Sequence, residues 1–257
     1  MNTAKKTTAR LLIDIGNSRL KWCIAKADVL GALHALNLPA RGLPDLEPML
    51  RAARRVNGVV LVSVAGPARD RALFRRLRAA GLPAPQVVHS ASTAAGVSNG
   101  YREPWRLGAD RWVAAIGAWH AAGARRPVCV IDVGTAATID VVDATGHHRG
   151  GLIAPGPALM TRSLLAGTRG IAPRTRGTRL ERSGSLARDT GNAIHHGAML
   201  ATAGFIELAI RQARREVGRG TTAWLTGGAA AELLPLLGVA VRHEPDLVLQ
   251  GLAVLAD

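Results

Sequence analysis

The chain has 257 residues, of which 48% are hydrophobic and 20% are charged, and its formal net charge is +15. This length and composition exclude a disordered chain and suit one large domain or two smaller globular ones. No apolar run approaches the roughly 20 residues of a membrane span, and the polar, basic first ten residues lack the apolar stretch of a signal peptide. We therefore expect a cytoplasmic protein with a frayed N-terminal leader and no membrane partner.

The positive charge comes mostly from scattered arginines, and aromatic residues make up 3% of the chain. This leaves no obvious platform on which nucleic-acid bases stack, so we expect a solvated basic surface and no nucleic-acid partner. An anionic substrate would still be attracted by such a surface. Cys23 and Cys129 lie in apolar runs without a CxxC spacing, which predicts buried, reduced core residues.

The first half of the chain predicts alternating strands and helices. The continuous apolar run 59–64 is typical of a strand buried on both faces, and Pro67 and Gly81 bound a basic helix. In chain order, the elements are strand 11–15, strand 20–24, helix 43–56, strand 59–64, helix 67–80, strand 86–89 and helix 107–122.

The second half repeats the alternation after a boundary at 123–127. We expect a hairpin around Asp132, strand 147–153, a loop over 165–185, helix 189–217, strand 222–226, helix 229–237, strand 239–242 and a final helix from 246. The long helix has an apolar stripe at helical spacing, formed by Ile194, Ala198, Ala201, Phe205 and Leu208. The pattern predicts two α/β lobes, 1–123 and 124–257, with ligands bound in a cleft between them.

Two segments nearly half the chain apart look like copies of one motif. Each is an apolar strand that ends in Asp-x-Gly, at Asp14 and at Asp132, and continues into a second strand. One such turn is a common hairpin signal. Two at the starts of similar halves favour a protein that binds phosphates between related lobes.

The residues of these turns suit phosphate binding. Gly16 and Gly134 would permit a positive φ and close backbone approach, and Asp14 and Asp132 would hold cations directly or through water. Beside them lie short side chains that can donate hydrogen bonds, those of Asn17, Ser18 and Thr135, and the positively charged side chain of Lys21.

A further candidate site lies in the segment 99–111. Asp110 and Arg111 open a predicted helix just after Tyr101, the single tyrosine of the chain. An acid at this place also complements the helix dipole without any catalytic role. If the segment is a functional site, Asp110 would be a general base and Arg111 would bind a carboxylate or phosphate. Farther on, the pair Gly227-Gly228 after Thr226 would admit an adenine ring or simply close a tight turn.

Taken together, these motifs resemble the type III pantothenate kinases of the acetate kinase, sugar kinase, heat-shock chaperone and actin superfamily. The likeness rests on the two Asp-x-Gly motifs, the segments 101 and 108–111, and the turn 226–228, in the same order along the chain. It implies two duplicated actin-like, ribonuclease H-like lobes with a central cleft. It also implies ATP-dependent phosphorylation of pantothenate, the first step of coenzyme A biosynthesis.

The resemblance also implies roles for individual residues. Asp110 would be the catalytic base, Asp132 a ligand for K⁺ or NH₄⁺, and Asp14 associated with Mg²⁺. The ATP contacts would be Asp14, Ile15, Gly16, Asn17, Ser18, Arg19, Leu20, Lys21 and Thr135, with weaker adenosine contacts at Gly227 and Gly228. The substrate contacts would be Tyr101, Gly108, Ala109, Asp110, Arg111 and Thr190.

The family is dimeric, so the apolar stripe of the long helix is expected to be a dimer seam, with Thr190 reaching the neighbouring subunit's substrate. Ser18 stands where Thr is usual and keeps the hydroxyl. Two alternatives stay open. One is a kinase for another small hydroxy acid or sugar, and the other is a non-catalytic transcription accessory factor of the same family.

Overall fold

Two sheets with the same order of strands organise the fold. The computed structural model describes residues 9–26, 29–181 and 186–256. Contacts group the chain into two units: residues up to Ala121 with the segment from Asp246, and Ala122–Pro245. The N-terminal leader predicted from the sequence lies largely outside the described residues.

The first unit contains a sheet with the strand order β3-β2-β1-β5-β6, to which β4 adds by pairing with β2. β1 pairs with β2 in an antiparallel hairpin and with β5 in parallel. A small separate sheet joins β7 and β8. The strands are β1 (Ala9–Ile15), β2 (Arg19–Lys26), β3 (Val29–Leu30), β4 (His34–Asn37), β5 (Gly58–Ser63), β6 (Pro85–Val87), β7 (Thr93–Ala94) and β8 (Val97–Ser98). The helices are α1 (Glu47–Ala52), α2 (Pro67–Ala79) and α3 (Ala109–Ala121), with a 3₁₀ turn at Pro104–Arg106.

The second unit repeats this arrangement in the order β11-β10-β9-β12-β13. Its central hairpin, β9–β10, is antiparallel, and β9 pairs with β12 in parallel. The strands are β9 (Val128–Val133), β10 (Ala136–Val142), β11 (His148–Pro155), β12 (Thr222–Thr226) and β13 (Arg242–His243). The helices are α4 (Pro157–Gly167), α5 (Thr190–Val217) and α6 (Ala230–Leu233), with 3₁₀ turns at Ala172–Thr175 and Leu234–Leu236; α7 (Leu247–Ala256) belongs to the first unit.

The last helix is grouped differently from the sequence-based expectation, which assigned 246–257 to the second lobe. α7 packs against α3 and also contacts β1 and β5. The close approach is possible because Gly117 on α3 faces Gly251 on α7: a Cβ at Gly117 would stand 2.6 Å from the carbonyl oxygen of Leu247 and 2.8 Å from the amide nitrogen of Gly251. The periodic pattern of a helix does not reveal which sheet it covers.

Several element boundaries also differ from the prediction. The helix expected over 43–56 is short, Glu47–Ala52, with Pro48 in its first turn, where proline is tolerated. The expected loop 165–185 begins within α4, a helix missed by the sequence reading, and contains a 3₁₀ turn; residues 182–185 lie outside the described part. The strand expected at 239–242 occurs at Arg242–His243.

The stripe predicted on α5, expected as a dimer seam, contacts the core only in part: Ala198 is buried and Phe205 packs against the core cluster. The residues that pack on the sheet are Met199, Ala203, Ile206, Ile210 and Ala213. These repeat at the same spacing as the predicted stripe but on another face of the helix, and Leu208 of the predicted stripe is 57% exposed. α5 is long and apolar enough, by length and composition, to cross a membrane, and its packing on the sheet accounts for this composition as that of a core helix.

The two cysteines are buried and free, as the sequence predicts. Burial is the main cause that raises the pKa of each thiol, Cys23 and Cys129, to about 12. Nearby carboxylates, Asp246 for the first and Asp140 for the second, act in the same direction. Both side chains therefore stay protonated and poorly nucleophilic at neutral pH.

The glycine contact between α3 and α7 gives a stability prediction. Gly117→Ala forces a methyl group against the backbone of α7, so we expect the free energy of unfolding to fall by about 1–3 kcal/mol. Gly204→Ala is the matched control, because nothing lies within 4 Å of a Cβ at that helical position; it should be neutral or stabilising by about 0.5–1 kcal/mol. Urea unfolding at one protein concentration measures both, and equal effects would contradict the close packing.

Candidate active site

The first Asp-x-Gly turn joins β1 to β2 through residues 16–18. The amide of Gly16 donates to the carbonyl oxygen of Arg19 at 2.9 Å and closes the turn. Asp14 lies directly opposite Lys21 in the hairpin register, so their side chains share a face of the sheet and are within reach of each other. The side chains of Ile15 and Leu20 are buried in the core. These two residues offer a ligand only their backbone.

The second turn, between β9 and β10, is one residue shorter and consists of Gly134 and Thr135. Its closing hydrogen bond runs from the amide of Gly134 to the carbonyl oxygen of Ala136 at 2.9 Å. The expectation of a positive φ at Gly16 and Gly134 is wrong, since neither is among the glycines with that conformation. The nearest atom to a Cβ is Arg19 O at 3.5 Å for Gly16 and Ala136 O at 4.0 Å for Gly134. A Cβ at either position would therefore be in ordinary van der Waals contact with its own turn, without a clash.

Two further glycines pack against the second turn. Gly156, just after β11, donates its amide to the carbonyl oxygen of Thr135 at 3.0 Å, and a Cβ there would collide with the carbonyl of Gly134. Gly227 follows β12 with a φ of +99°, and a Cβ there would collide with the carboxylate of Asp132. Gly227 is thus required by the close packing of its own turn against the second one, while Gly228 is exposed.

Thr226 immediately precedes Gly227, and the sequence places it in the turn 226–228 without indicating a role of its own. It is the direct neighbour of Asp132 in the parallel register of β12 and β9. Its side chain is 1% exposed, and its Oγ1 has no hydrogen-bond partner within the described part of the chain. A buried hydroxyl without a partner is uncommon in folded proteins.

Asp110 and Arg111 open α3 as expected, and the structure brings them together with Tyr101. The guanidinium Nη1 of Arg111 donates to the hydroxyl of Tyr101 at 3.0 Å, and the guanidinium carbon lies 5.9 Å from the centre of the ring. Asp110 Oδ1 accepts from the amide of Arg111 at 2.8 Å. A Cβ at Gly108 would stand 2.7 Å from the same oxygen, so glycine there lets the carboxylate fold back over the helix start.

Two polar residues hold the segment that carries Tyr101. Asn99 donates through Nδ2 to the carbonyl oxygens of Ala91 and Pro104, each at 3.2 Å, and its Oδ1 accepts from the amide of Tyr101 at 3.0 Å. Ser90 donates to the carbonyl oxygen of Leu107 at 2.8 Å. The spacing of Asn99 two residues before Tyr101 is the sequence signal for such an Asx turn. These bonds position Tyr101 against Arg111.

Comparison with known proteins bears on what these residues do. Residues 10–212 match the family model described as type III pantothenate kinase. Relatives named type III pantothenate kinase include those of Aromatoleum aromaticum, 40% identical, and Acidovorax ebreus, 38% identical; each alignment covers 96% of this chain and at least 95% of the relative. The chain belongs to the type III pantothenate kinase family.

Solved structures agree on the fold. A conserved putative Baf family transcriptional activator from Campylobacter jejuni superposes with a TM-score of 0.57 at 20% identity and covers 94% of both chains. The Lmo2764 protein of Listeria monocytogenes, a putative N-acetylmannosamine kinase, gives 0.50 at 14% identity and covers 96% of this chain and 97% of that one. At these identities the likeness concerns the fold alone, and it confirms the predicted actin-like α/β class of duplicated lobes.

The stretch matched to the type III pantothenate kinase family contains both Asp-x-Gly turns, the segment 99–111 and the start of α5. At the start of α5, Asp189 caps the helix by accepting from the amide of Asn192 at 2.9 Å. The buried Asn192 also donates through Nδ2 to Asp189 at 2.7 Å, and its Oδ1 accepts from the amide of Glu181 at 2.8 Å. Thr190 therefore sits on a tightly bonded helix end. It lines a groove of about 790 Å³ between α4 and α5.

No cluster of three or more potential metal ligands among His, Cys, Asp and Glu occurs within the described residues of this family member. His195 and His196 lie side by side on α5, and the side chain of His196 is buried.

The cap of α5 gives a prediction of pH dependence. The backbone and then the side-chain hydrogen bonds from Asn192 lower the pKa of Asp189 from 3.8. The folded state thus binds this proton more weakly than the unfolded one, so the stabilisation is complete above pH 3.8 and is lost as the pH falls through the lower folded value. We expect Asp189→Asn to lose less stability than the parent between about pH 5 and pH 3, measured by urea unfolding. Asn192→Ala removes the side-chain donor but keeps the backbone amide that donates to Asp189, so it should have a smaller effect in the same direction. Parallel curves for all three proteins would contradict the prediction.

Proposed function

We propose that this chain transfers the γ-phosphoryl group of ATP to pantothenate, giving 4′-phosphopantothenate, the first step of coenzyme A biosynthesis. Membership in the type III pantothenate kinase family supports this activity. The structural observation that carries it is the grouping at the start of α3, where the Asp110 carboxylate is folded over Gly108 beside the Arg111–Tyr101 pair. A base and an anion-binding group adjacent to each other suit a hydroxy acid as substrate.

Each of the two turns carries groups that would bind ATP phosphates. In the first, the exposed Asn17, Ser18 and Arg19 offer side-chain donors, Ile15 and Leu20 their backbone, and Lys21 a positive charge. In the second, Thr135 offers its hydroxyl. Glycine at 16 and 134 supports this role, because a phosphate oxygen can approach the backbone where no Cβ stands. Gly227 and Gly228 would lie on the adenosine side.

Two carboxylates would hold cations. Asp14, at the end of β1 and opposite Lys21, suits Mg²⁺, which takes few protein ligands together with water and phosphate oxygens. Asp132, set against Gly227, suits K⁺ or NH₄⁺, since one carboxylate balances one positive charge. When bound, these cations supply positive charge that offsets the negative charge on the transferring phosphoryl group.

The reaction step would use Asp110 as the general base. Asp110 accepts the proton of the primary hydroxyl of pantothenate as its oxygen bonds to the γ-phosphorus and the bond from that phosphorus to the β,γ-bridging oxygen breaks, releasing ADP. Arg111, held by the hydroxyl of Tyr101, would bind the substrate carboxylate or the transferring phosphoryl group. Gly108 and Ala109 complete the substrate segment.

The chain would act as a cytoplasmic homodimer, with neither a membrane nor a nucleic acid as partner. Five apolar side chains on α4, α5 and β11 are exposed, which supports a second copy of the chain as the partner that covers them. They are Leu152, Ile153, Leu164, Leu200 and Leu208. Thr190, at the end of the same helix, would reach the substrate of the neighbouring subunit.

The central test is ATP consumption in the presence of pantothenate, with and without K⁺. The parent protein should turn over only with pantothenate, and Asp110→Asn should lower kcat by about 10²–10⁴-fold while ATP binding persists, because the base is lost and the phosphate turns are intact. Asp45→Asn, an exposed carboxylate in the same unit, is the matched control and should be fully active. Retained activity in Asp110→Asn would remove this residue from the role of base. Preference for another hydroxy acid or a sugar would refute pantothenate as the substrate.

The proposed dimer gives a separate prediction. Sedimentation velocity should show about twice the 26.9 kDa chain mass for the parent protein. Leu208→Glu should give the mass of the monomer and abolish activity, because the substitution places a charge in the apolar interface. Val29→Glu changes an even more exposed apolar residue, 71% accessible against 57% for Leu208, in the other unit and should stay dimeric. A monomeric parent protein with full activity would contradict the role of Thr190 across the interface.

A further inference from the structure

Thr226 carries a buried hydroxyl that the fold of the chain does not use. It ends β12, its side chain is 1% exposed, and its Oγ1 finds no hydrogen-bond partner among the described residues. A buried polar group without a partner destabilises a protein, and a valine of the same shape would avoid this loss. A bound ligand that gives this hydroxyl a partner would explain why threonine occurs at this position.

The register places this hydroxyl beside the carboxylate of Asp132. Thr226 and Asp132 are direct partners on parallel strands, whose spacing is about 4.8 Å, and paired residues on neighbouring strands point to the same face. Asp132 is in turn the partner of Thr138 on β10. The carboxylate thus lies in a row of three oxygen-bearing side chains. Because Gly227 has no Cβ, its position leaves room for the carboxylate at the end of β12.

The duplicated fold provides an internal comparison. In the first sheet the residue paired with Asp14 on the parallel strand is Val62, which has the shape of threonine but no hydroxyl. The same place in the second sheet holds Thr226. The hydroxyl is therefore not needed to form a sheet of this topology. It occurs only beside the carboxylate for which a monovalent cation is proposed.

We infer that Thr226 Oγ1 is a second protein ligand, with the Asp132 carboxylate, of the monovalent cation. This inference rests on the proposed function for the presence of the cation. A hard cation takes neutral and anionic oxygen atoms as ligands, and a lone pair of the hydroxyl gains in the bound state the partner that it lacks in the chain itself. One carboxylate with neutral hydroxyl oxygens keeps the total charge of the site near zero, as a buried site requires.

Thermal unfolding with K⁺ in place of tetramethylammonium tests the inference without turnover. For the parent protein, the melting temperature should rise with K⁺, because the cation binds the folded state. Thr226→Val should raise the K⁺ concentration for half of this effect by about tenfold or more, as expected for the loss of one ligand. Thr226→Ser keeps the hydroxyl and should respond nearly as the parent protein does. Thr202→Val, a buried threonine on α5 that bonds within its own helix, is the matched control and should respond normally.

The structure also predicts the sign of the change without K⁺. There, Thr226→Val should melt at the same temperature as the parent protein or higher, because it removes a hydroxyl without a partner. A purely structural hydroxyl would give the opposite result. An unchanged K⁺ response in Thr226→Val, or a lower melting temperature without K⁺, would overturn the inference.

Measuring pantothenate phosphorylation by the parent protein distinguishes a failure of the inferred cation ligand from a failure of the proposed function. If the protein phosphorylates pantothenate but shows no K⁺ response, the inference fails and the proposed function stands. If it binds K⁺ through Thr226 but does not act on pantothenate, the site stands and the proposed function fails. In the active protein, Thr226→Val should raise the K⁺ concentration for half-maximal activation by the same factor, about tenfold, as in the thermal measurement.

Discussion

The parallel pairing between the first strand of each hairpin and the next strand of its sheet determines where the functional groups lie. β1 pairs with β5 and β9 pairs with β12, so the end of the hairpin and the end of the neighbouring strand meet at one edge of the sheet. In the second unit this brings the turn after β12 against Asp132, closely enough that only glycine fits at 227. The spacing of strands, which backbone hydrogen bonds hold near 4.8 Å, thereby sets the distance between side chains that belong to distant parts of the chain.

The two units share this pairing but differ in detail at the place where chemistry is proposed. The first turn has three residues between its strands and the second has two. The first carboxylate has a lysine opposite it and a valine beside it, whereas the second is flanked by two threonines. A duplicated scaffold has thus acquired two unlike environments, one with a cationic side chain and one with neutral oxygen atoms. This difference is consistent with one turn that combines a lysine with a divalent cation and another that relies on a monovalent cation.

Much of the fold follows from the sequence because its signals are local. The two hairpins, the buried strand at 58–63, the helix after Pro67 and the strand at 222–226 occur within a few residues of their predicted places. The core-facing side of α5 was not predictable, since two stripes of the helix are apolar and only the sheet decides which of them is buried. The sequence placed Thr226 in a motif but indicated no role for its hydroxyl, because the lack of a hydrogen-bond partner within the described residues depends on three-dimensional neighbours. The φ values at Gly16 and Gly134 were wrongly predicted, since space around a backbone and its conformation are separate reasons for glycine.

The return of α7 to the first unit has a consequence for how the protein is made. The side chains of α3 that α7 covers are synthesised more than a hundred residues before α7 itself, with the entire second unit in between. During translation the apolar face of α3 therefore stays without its final cover until Leu247–Ala256 has emerged from the ribosome. The second unit, which is continuous in sequence, has no such delay, so the unit encoded first is the one completed last.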